Sequence, residues 1–168
     1  MKVNSLRFYS FLPFFGTVAF LAYALYTEIY LYLNPCPLCM VQRYIFILIG
    51  ILYFITFIKP PIAWGRKLFG VLISLVSIFG MFVSGWHVRL QNLPPEEVPD
   101  CGPGLDYMLE AFPLKDIISE LINGSGDCAE VVWSFLGLSM PTWSFICFLG
   151  FFLYTIFWTK LKQRLVTI

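Results

Sequence analysis

The stretch MVQRYIFILIGILYFITFIKPP, residues 40–61, is a largely apolar run that ends in a lysine and two prolines. A transmembrane helix needs about 20 mostly apolar residues to cross roughly 30 Å of hydrocarbon. Proline disfavours helix at the residue before it, and lysine favours the membrane interface, so Lys59 and the two prolines mark the end of the run. The stretch therefore predicts a membrane-spanning helix over residues 40–58.

The rest of the chain has the composition of an integral membrane protein. Of its 168 residues, 59% are hydrophobic and only 12% are charged, whereas soluble domains are about 45–50% apolar. The predicted spans lie near residues 8–33, 40–58, 68–87 and 142–159. We expect one domain over residues 1–168, an all-α bundle of four transmembrane helices. Small residues in the third span predict a close helix contact there, namely Gly70, Ser74, Ser77, Gly80 and Ser84.

Basic residues set the expected orientation of these spans. Eight of the eleven flank one side of the membrane, namely Lys2, Arg7, Lys59, Arg66, Lys67, Lys160, Lys162 and Arg164. Basic residues beside the spans favour the cytoplasmic side. We therefore expect a multi-pass membrane protein with both termini cytoplasmic and outer loops near residues 34–39 and 88–141, which in a bacterium would face the periplasm. The basic residues form no stripe or reading motif that would predict nucleic-acid binding.

Four of the five cysteines fall in the two outer loops, where we expect them to be exposed: Cys36, Cys39, Cys101 and Cys128. The bacterial periplasm is oxidising, so disulfides persist there. The four thiols predict two disulfides, and counting leaves three pairings open. Zinc held by the four thiols is an alternative, disfavoured because no second C-x-x-C is present. Cys147 lies in the last span and is expected to pack as a small hydrophobic residue.

The long outer loop has two parts with different expected structures. Proline and glycine surround Cys101, oppose regular structure and predict a mobile segment. Further on, apolar residues recur at helical spacing over residues 114–122. This pattern predicts a short amphipathic helix that lies on the membrane.

Arg43 lies about one turn inside the outer boundary of the second span. An arginine at this depth is costly unless it reaches the interface or pairs with an anion, so it marks a candidate functional site. On a helix that begins near Pro37, Cys39 and Arg43 are four residues apart and share a face. The helix N-terminus and the arginine both favour a thiolate at Cys39. This spacing predicts a reactive cysteine at the membrane surface beside a fixed positive charge.

A reactive dithiol that turns over must pass two electrons to an acceptor. The chain has no dinucleotide-binding glycine motif and no haem-attachment motif, so an acceptor dissolved in the bilayer is the simplest expectation. A quinone fits, because Arg43 would stabilise negative charge that develops on its oxygen. His87, near the outer end of the third span, is a second candidate donor.

Four motifs now carry a resemblance to a known family: CPLCMVQRY (residues 36–44), HVRLQ (87–91), VPDCGPG (98–104) and GSGDCAEVVWSFLGLSMPTW (124–143). Together they resemble the disulfide bond formation protein B (DsbB) family of quinone-dependent inner-membrane oxidases. The resemblance covers nearly the whole chain, including the cysteine order and the loop lengths. Gln42 departs from the pattern, since some members carry glutamate there.

The resemblance implies a role for each candidate residue. Cys36 and Cys39 would be the quinone-linked pair, with Cys39 next to the quinone and Arg43 assisting it. Cys101 and Cys128 would be the second pair, with Cys101 forming a mixed disulfide with the periplasmic oxidase DsbA. A transient Cys36–Cys128 bond is also implied.

His87 and Met140 would line the pocket for a quinone, either ubiquinone or menaquinone. The quinone would pass the electrons to the respiratory chain.

The alternative function is a non-enzymatic four-span scaffold whose outer loops are locked by structural disulfides.

Overall fold

Four long helices, each apolar enough to cross a membrane, make up most of the computed structural model. It describes residues 3–33, 35–94, 96–98, 113 and 126–166. In chain order the helices are α1 (Val3–Leu31), α2 (Pro37–Ile58), α3 (Ala63–Leu90), the short α4 (Gly126–Ala129) and α5 (Met140–Val166). The expected all-α, four-span architecture is confirmed, and the chain is a multi-pass membrane protein.

The N-terminal end of α2 is built from residues that favour a helix start. Pro37 occupies the first turn, where its missing N–H group has no helical partner to lose. Cys36 is the N-cap, and its sulfur accepts a hydrogen bond from the backbone N–H of Cys39 at 3.4 Å. At the other end, Lys59 adopts an extended conformation before Pro60. The sequence therefore fixes both ends of this helix, and Cys39 lies in its first turn as expected.

Phe46 of α2 is fully buried at the centre of the bundle. Its ring stacks on Phe20 of α1, with centroids 4.2 Å apart, and on Phe148 of α5, with centroids 4.3 Å apart. One further hydrogen bond joins Tyr53 of α2 to Thr155 of α5, with 2.7 Å between the hydroxyl oxygens. Such contacts hold helices together in lipid, where burial of apolar surface gives little driving force.

Glycines bring α3 and α5 close together, as the small residues of the third span predict. A Cβ atom added at Gly80 would lie 2.8 Å from the ring of Phe148. One added at Gly70 would lie 2.5 Å from the Cγ2 atom of Thr159. The prediction of close helix packing is confirmed at these two positions, where the lack of a side chain lets α3 and α5 approach each other.

A small antiparallel ladder precedes α5 and was not predicted. Strand β1 (Ser134–Phe135) pairs with β2 (Leu138–Ser139). The two residues between them, Leu136 and Gly137, have φ angles of 53° and 77°. Positive φ at both central positions is the conformation that joins tight hairpins. The turn carries the chain from α4 to the start of α5, and so places both beside the same end of the bundle.

Candidate active site

A cavity of about 680 Å³ lies at the end of the bundle where α1 and α3 finish and α2 and α5 begin. Five of the residues singled out from the sequence line it: Cys36, Cys39, Arg43, His87 and Met140. They come from three helices, namely α2 with its N-cap, α3 and α5, so the fold brings them together. The volume is within the roughly 300–1,000 Å³ usual for small-molecule sites.

The two sulfurs of the C-x-x-C motif are close neighbours. The Sγ atoms of Cys36 and Cys39 lie 3.0 Å apart. A disulfide bond is about 2.05 Å long, so the two thiols need only a small movement to close one. Cys36 is buried and Cys39 is half-buried, with both on the wall of the cavity. The pair is thus placed to exchange electrons with a molecule in the cavity.

Cys128 on α4 packs against the same sulfurs. The Sγ atoms of Cys36 and Cys128 and a ring nitrogen of His87 all lie within 4.8 Å of one another. Cys128 is 1% exposed and Cys36 is 8% exposed. The expectation that these two cysteines are exposed is therefore wrong, because α4 folds back against α2 and α3 and covers them. A cysteine from the long loop thus meets the C-x-x-C motif at the start of α2.

The neighbouring sulfurs also change the acidity of Cys36. Hydrogen bonding to Cys128 has the largest effect, followed by hydrogen bonding to Cys39 and by burial, and together they raise the pKa of the Cys36 thiol above its usual value. A thiol with a raised pKa keeps its proton and is a poor nucleophile. Cys36 is therefore better suited to be attacked, or to donate a proton, than to attack another sulfur.

His87 is held between Cys36 and a second buried side chain, Gln42. The side-chain nitrogen of Gln42 lies 3.1 Å from Nδ1 of His87. This amide N–H donates to Nδ1, so the ring proton sits on Nε2. Nε2 in turn lies 3.6 Å from the sulfur of Cys36. Gln42, whose role the sequence left open, is thus the residue that orients the imidazole toward the cysteines.

Arg43 has an anionic partner that the sequence did not identify. Its Nη1 group donates to a carboxylate oxygen of Glu28 on α1, and its Nη2 group donates to the carbonyl oxygen of Ala24 at 3.2 Å. The expected partners were the Cys39 thiolate and the quinone. The carboxylate of Glu28 fixes the guanidinium at the cavity wall and neutralises part of its charge, while the expected roles of Arg43 beside the thiolate and the quinone stay predictions. Glu28 lies near the end of α1, and its carboxylate reaches across to the neighbouring helix α2.

The beginning of α5 closes another side of the cavity. Met140 and Pro141 line it, together with Trp133 from the segment before β1. The ring of Trp133 also packs edge-on against Tyr23 of α1, with centroids 5.8 Å apart. Neither the position of Trp133 in the cavity wall nor the pairing of Glu28 was predicted from the sequence. A signal existed for Glu28, since a carboxylate and an arginine that both lie inside spans near the same membrane surface are expected to pair.

Two predictions fall on parts of the chain outside the described residues. Cys101 and the amphipathic helix over residues 114–122 both belong to them. Cys147, by contrast, is half-buried on α5 and packs against the hydrophobic core, as expected for a small apolar residue.

A metal remains a chemical alternative for the sulfur cluster. The described residues that could share one ion are Cys36, His87 and Cys128. Two thiolates and an imidazole are ligands that zinc accepts. Metal analysis of the purified, reduced protein distinguishes a zinc site from a metal-free cluster of thiols.

Comparison with known proteins identifies the family of this chain. Residues 6–158 match the family described as disulfide bond formation protein DsbB. The disulfide bond formation protein B of Saccharophagus degradans is 45% identical over 162 residues, covering 96% of this chain and 97% of that protein. The protein of the same name from Methylococcus capsulatus is 45% identical over 150 residues, with 89% and 92% covered. The one from Nitrosococcus oceani is 43% identical over 145 residues, with 86% of each chain covered. The chain therefore belongs to the DsbB family.

Proposed function

We propose that this chain is a thiol oxidoreductase that re-oxidises a DsbA-like periplasmic oxidase and passes the electrons through two cysteine pairs to a membrane quinone. Disulfide bonds are thereby generated de novo. One observation carries the proposal: Cys36, Cys39 and Cys128, from two distant segments, meet beside a cavity at the end of the membrane bundle. A scaffold locked by inert disulfides has no need of such a cavity, and family membership also favours the oxidoreductase.

The first exchange takes place in the long loop. A thiolate of the reduced DsbA-like partner attacks Cys101 of a Cys101–Cys128 disulfide, and Cys128 leaves as a thiolate. The partner's second thiol then displaces Cys101, so the partner departs with a disulfide and both loop cysteines are reduced. Each exchange breaks one S–S bond and forms one, and the whole sequence moves two electrons into the chain.

The second exchange transfers these electrons to the C-x-x-C pair. Cys128 attacks Cys36 of a Cys36–Cys39 disulfide, Cys39 leaves as a thiolate, and Cys101 then displaces Cys36 from Cys128. The proximity of Cys128 to Cys36 supports this step, and so does the raised pKa of Cys36, which makes it the attacked sulfur rather than the attacking one. The loop disulfide is restored and Cys36 and Cys39 end as a dithiol.

The cavity fits a quinone head group. Its wall combines a cation at Arg43, a ring N–H at His87 and apolar surface at Phe20 and Met140. A bound quinone supplies the oxidising power, because it accepts two electrons and two protons and leaves as a quinol. Arg43 and the Nε2–H group of His87 are the donors that would hold its oxygens, while Cys39 lies on the same wall.

The direction of electron flow follows from the final acceptor. DsbA is a strong oxidant, at about −120 mV, so its re-oxidation requires an acceptor that is continuously renewed. Withdrawal of quinol by the respiratory chain would draw each preceding exchange forward. We place the chain in a bacterial inner membrane with cytoplasmic termini, since the described cations Arg7, Lys59 and Lys160 lie at the membrane end opposite the cysteines.

Cysteine variants assayed with reduced DsbA and a soluble ubiquinone analogue test the relay. The oxidation of DsbA, measured by alkylating its remaining thiols, should stop in Cys101→Ser and in Cys128→Ser. Cys147→Ser is the matched control and should keep the wild-type rate. A Cys101→Ser/Cys128→Ser double variant that oxidises DsbA at full rate would show that the second pair is not part of the path.

A further inference from the structure

A second cavity, of about 580 Å³, lies at the opposite end of the bundle, between the start of α3 and the part of α5 around Thr159 and Lys160. Three cations line it: Arg66 and Lys67 of α3 and Lys160 of α5. Nothing in the proposed relay uses this cavity, which is separated from the cysteines by the length of the spans.

Arg66 is the most informative residue of this cavity. It is only 6% exposed, yet its Nη1 group has no hydrogen-bond acceptor among the described residues. Buried arginine is rarely left unpaired, because removing the charge from water costs free energy that an anion must offset. An acceptor is therefore expected in the cavity that the side chain lines.

The protein supplies no acidic side chain for this role. In the sequence, Asp and Glu are confined to Glu28 and to residues 96–130. Glu28 pairs with Arg43 at the other membrane boundary, and residues 96–130 follow the cysteine end of α3. Three cations thus line a cavity at a membrane boundary where none of the described residues is Asp or Glu.

Toward the middle of the bilayer, the wall of the cavity becomes apolar. Val71 and Leu75 line it and are 57% and 59% exposed, on the side where lipid chains would lie. Gly70 lets Thr159 of α5 approach at the base. A molecule that fills the cavity therefore needs a negative head and an apolar tail.

We propose that this cavity binds the phosphate of an anionic phospholipid, held by Arg66, Lys67 and Lys160, with an acyl chain along Val71 and Leu75. Phosphate oxygens accept hydrogen bonds from guanidinium and ammonium groups. Basic pockets between helices at a membrane surface suit such head groups. The phosphate chemistry alone would also fit free inorganic phosphate, but the apolar wall favours a lipid.

Native mass spectrometry of the delipidated protein tests the site with three probes: phosphatidylglycerol, phosphatidylcholine and inorganic phosphate. The wild type should retain phosphatidylglycerol in preference to phosphatidylcholine, and its Tm should rise only with the anionic lipid. Lys67→Gln/Lys160→Gln should bind phosphatidylglycerol about a hundredfold more weakly, since each of the two lost charge-assisted hydrogen bonds is worth about tenfold. The control Arg7→Gln/Lys59→Gln removes the same charge from the same boundary without touching the cavity and should bind as the wild type does.

Arg66→Met gives a second readout. With phosphatidylcholine its Tm should equal or exceed that of the wild type, because an unpaired buried charge is gone, and phosphatidylglycerol should no longer raise it. If Arg66→Met fails to fold, the lysine double variant decides the matter. Equal retention of the two lipids, or equal retention by both double variants, would overturn the proposal. An equal rise in Tm with inorganic phosphate would show a free-phosphate site and overturn the lipid assignment.

Discussion

Arg43 is the cation nearest the proposed chemistry, and its position depends on Glu28 and on the carbonyl oxygen of Ala24. Replacing it with glutamine should lower kcat/KM for quinone about ten- to a hundredfold, the value of one charge-assisted hydrogen bond. Arg43→Lys should lose less, because it keeps the charge without the planar two-pronged contact. The assay is quinone reduction at saturating DsbA.

Arg89→Gln is the control for this prediction. Arg89 is exposed, stacks over Trp86 at 5.2 Å and does not line the cavity. Its replacement should leave quinone kinetics unchanged. If Arg43→Gln behaves in the same way, the guanidinium has no part in quinone use.

The raised pKa of Cys36 predicts an unequal pH response of the two C-x-x-C thiols. In the reduced protein, alkylation should modify Cys39 first, and Cys36 should stay a thiol, and largely unmodified, until the pH rises above its usual titration range. Peptide mass spectrometry measures the alkylation of each cysteine from about pH 6 to about pH 10, a range that brackets the ordinary pKa of a thiol. In denaturant the two thiols should react alike. Faster labelling of Cys36 than of Cys39 at neutral pH would contradict the assignment.

Gln42 sets the tautomer of His87 if the hydrogen bond between them is as described. His87 is the only histidine in the chain, so ¹⁵N-histidine labelling gives one imidazole signal by NMR. The wild type should show the proton on Nε2. In Gln42→Glu the carboxylate can only accept, so the proton should move to Nδ1, away from Cys36.

Gln163→Glu serves as the comparison, since residue 163 lies near the far end of α5. It should leave the histidine signal unchanged. An Nε2 proton in Gln42→Glu as well would mean that Gln42 does not orient the ring, and quinone reduction should then be insensitive to this residue.

The relative positions of residues within one helix could be predicted from the sequence. Cys39 and Arg43 are four positions apart on α2, so their common face follows from helix geometry alone. The contacts of Arg43 with Glu28 and of Gln42 with His87 join different helices. They depend on the rotation and axial shift of one helix against another, which local periodicity does not specify.

The close packing of α3 against α5 depends on the glycines of α3. Gly80→Ala should lower the free energy of unfolding by about 1–3 kcal/mol, because the new methyl group would meet the buried ring of Phe148. Gly150→Ala on α5 meets nothing within 4 Å and should be neutral or stabilising. Thermal unfolding in one detergent compares the two. Equal losses of stability would show that the close contact at Gly80 is not limiting.

The ends of α2 could be predicted because proline acts locally at both of them. The hairpin before α5 could not, since each strand has only two residues and leaves no alternating pattern to detect. Its turn is defined by positive φ at Leu136, a residue type that does not announce this conformation.

For the whole molecule, hydropathy was sufficient to predict the four spans, because lipid requires each span to satisfy its own backbone hydrogen bonds. The burial of Cys128 against Cys36 and His87 was not predictable in the same way. It results from the packing of α4 against α2 and α3, which depends on tertiary contacts. The proposed relay is therefore a property of the assembled fold, in which one loop delivers a sulfur to a pair fixed at the membrane surface.

A single-turnover experiment without any partner protein tests the central claim most directly. The fully reduced Cys101→Ser/Cys128→Ser variant is mixed anaerobically with one equivalent of a soluble ubiquinone analogue, and quinone absorbance is followed. The account predicts that one quinone is reduced as Cys36 and Cys39 form a disulfide, and that Cys39→Ser in the same background reduces none. Quinone reduction at the same rate after loss of Cys39 would contradict it.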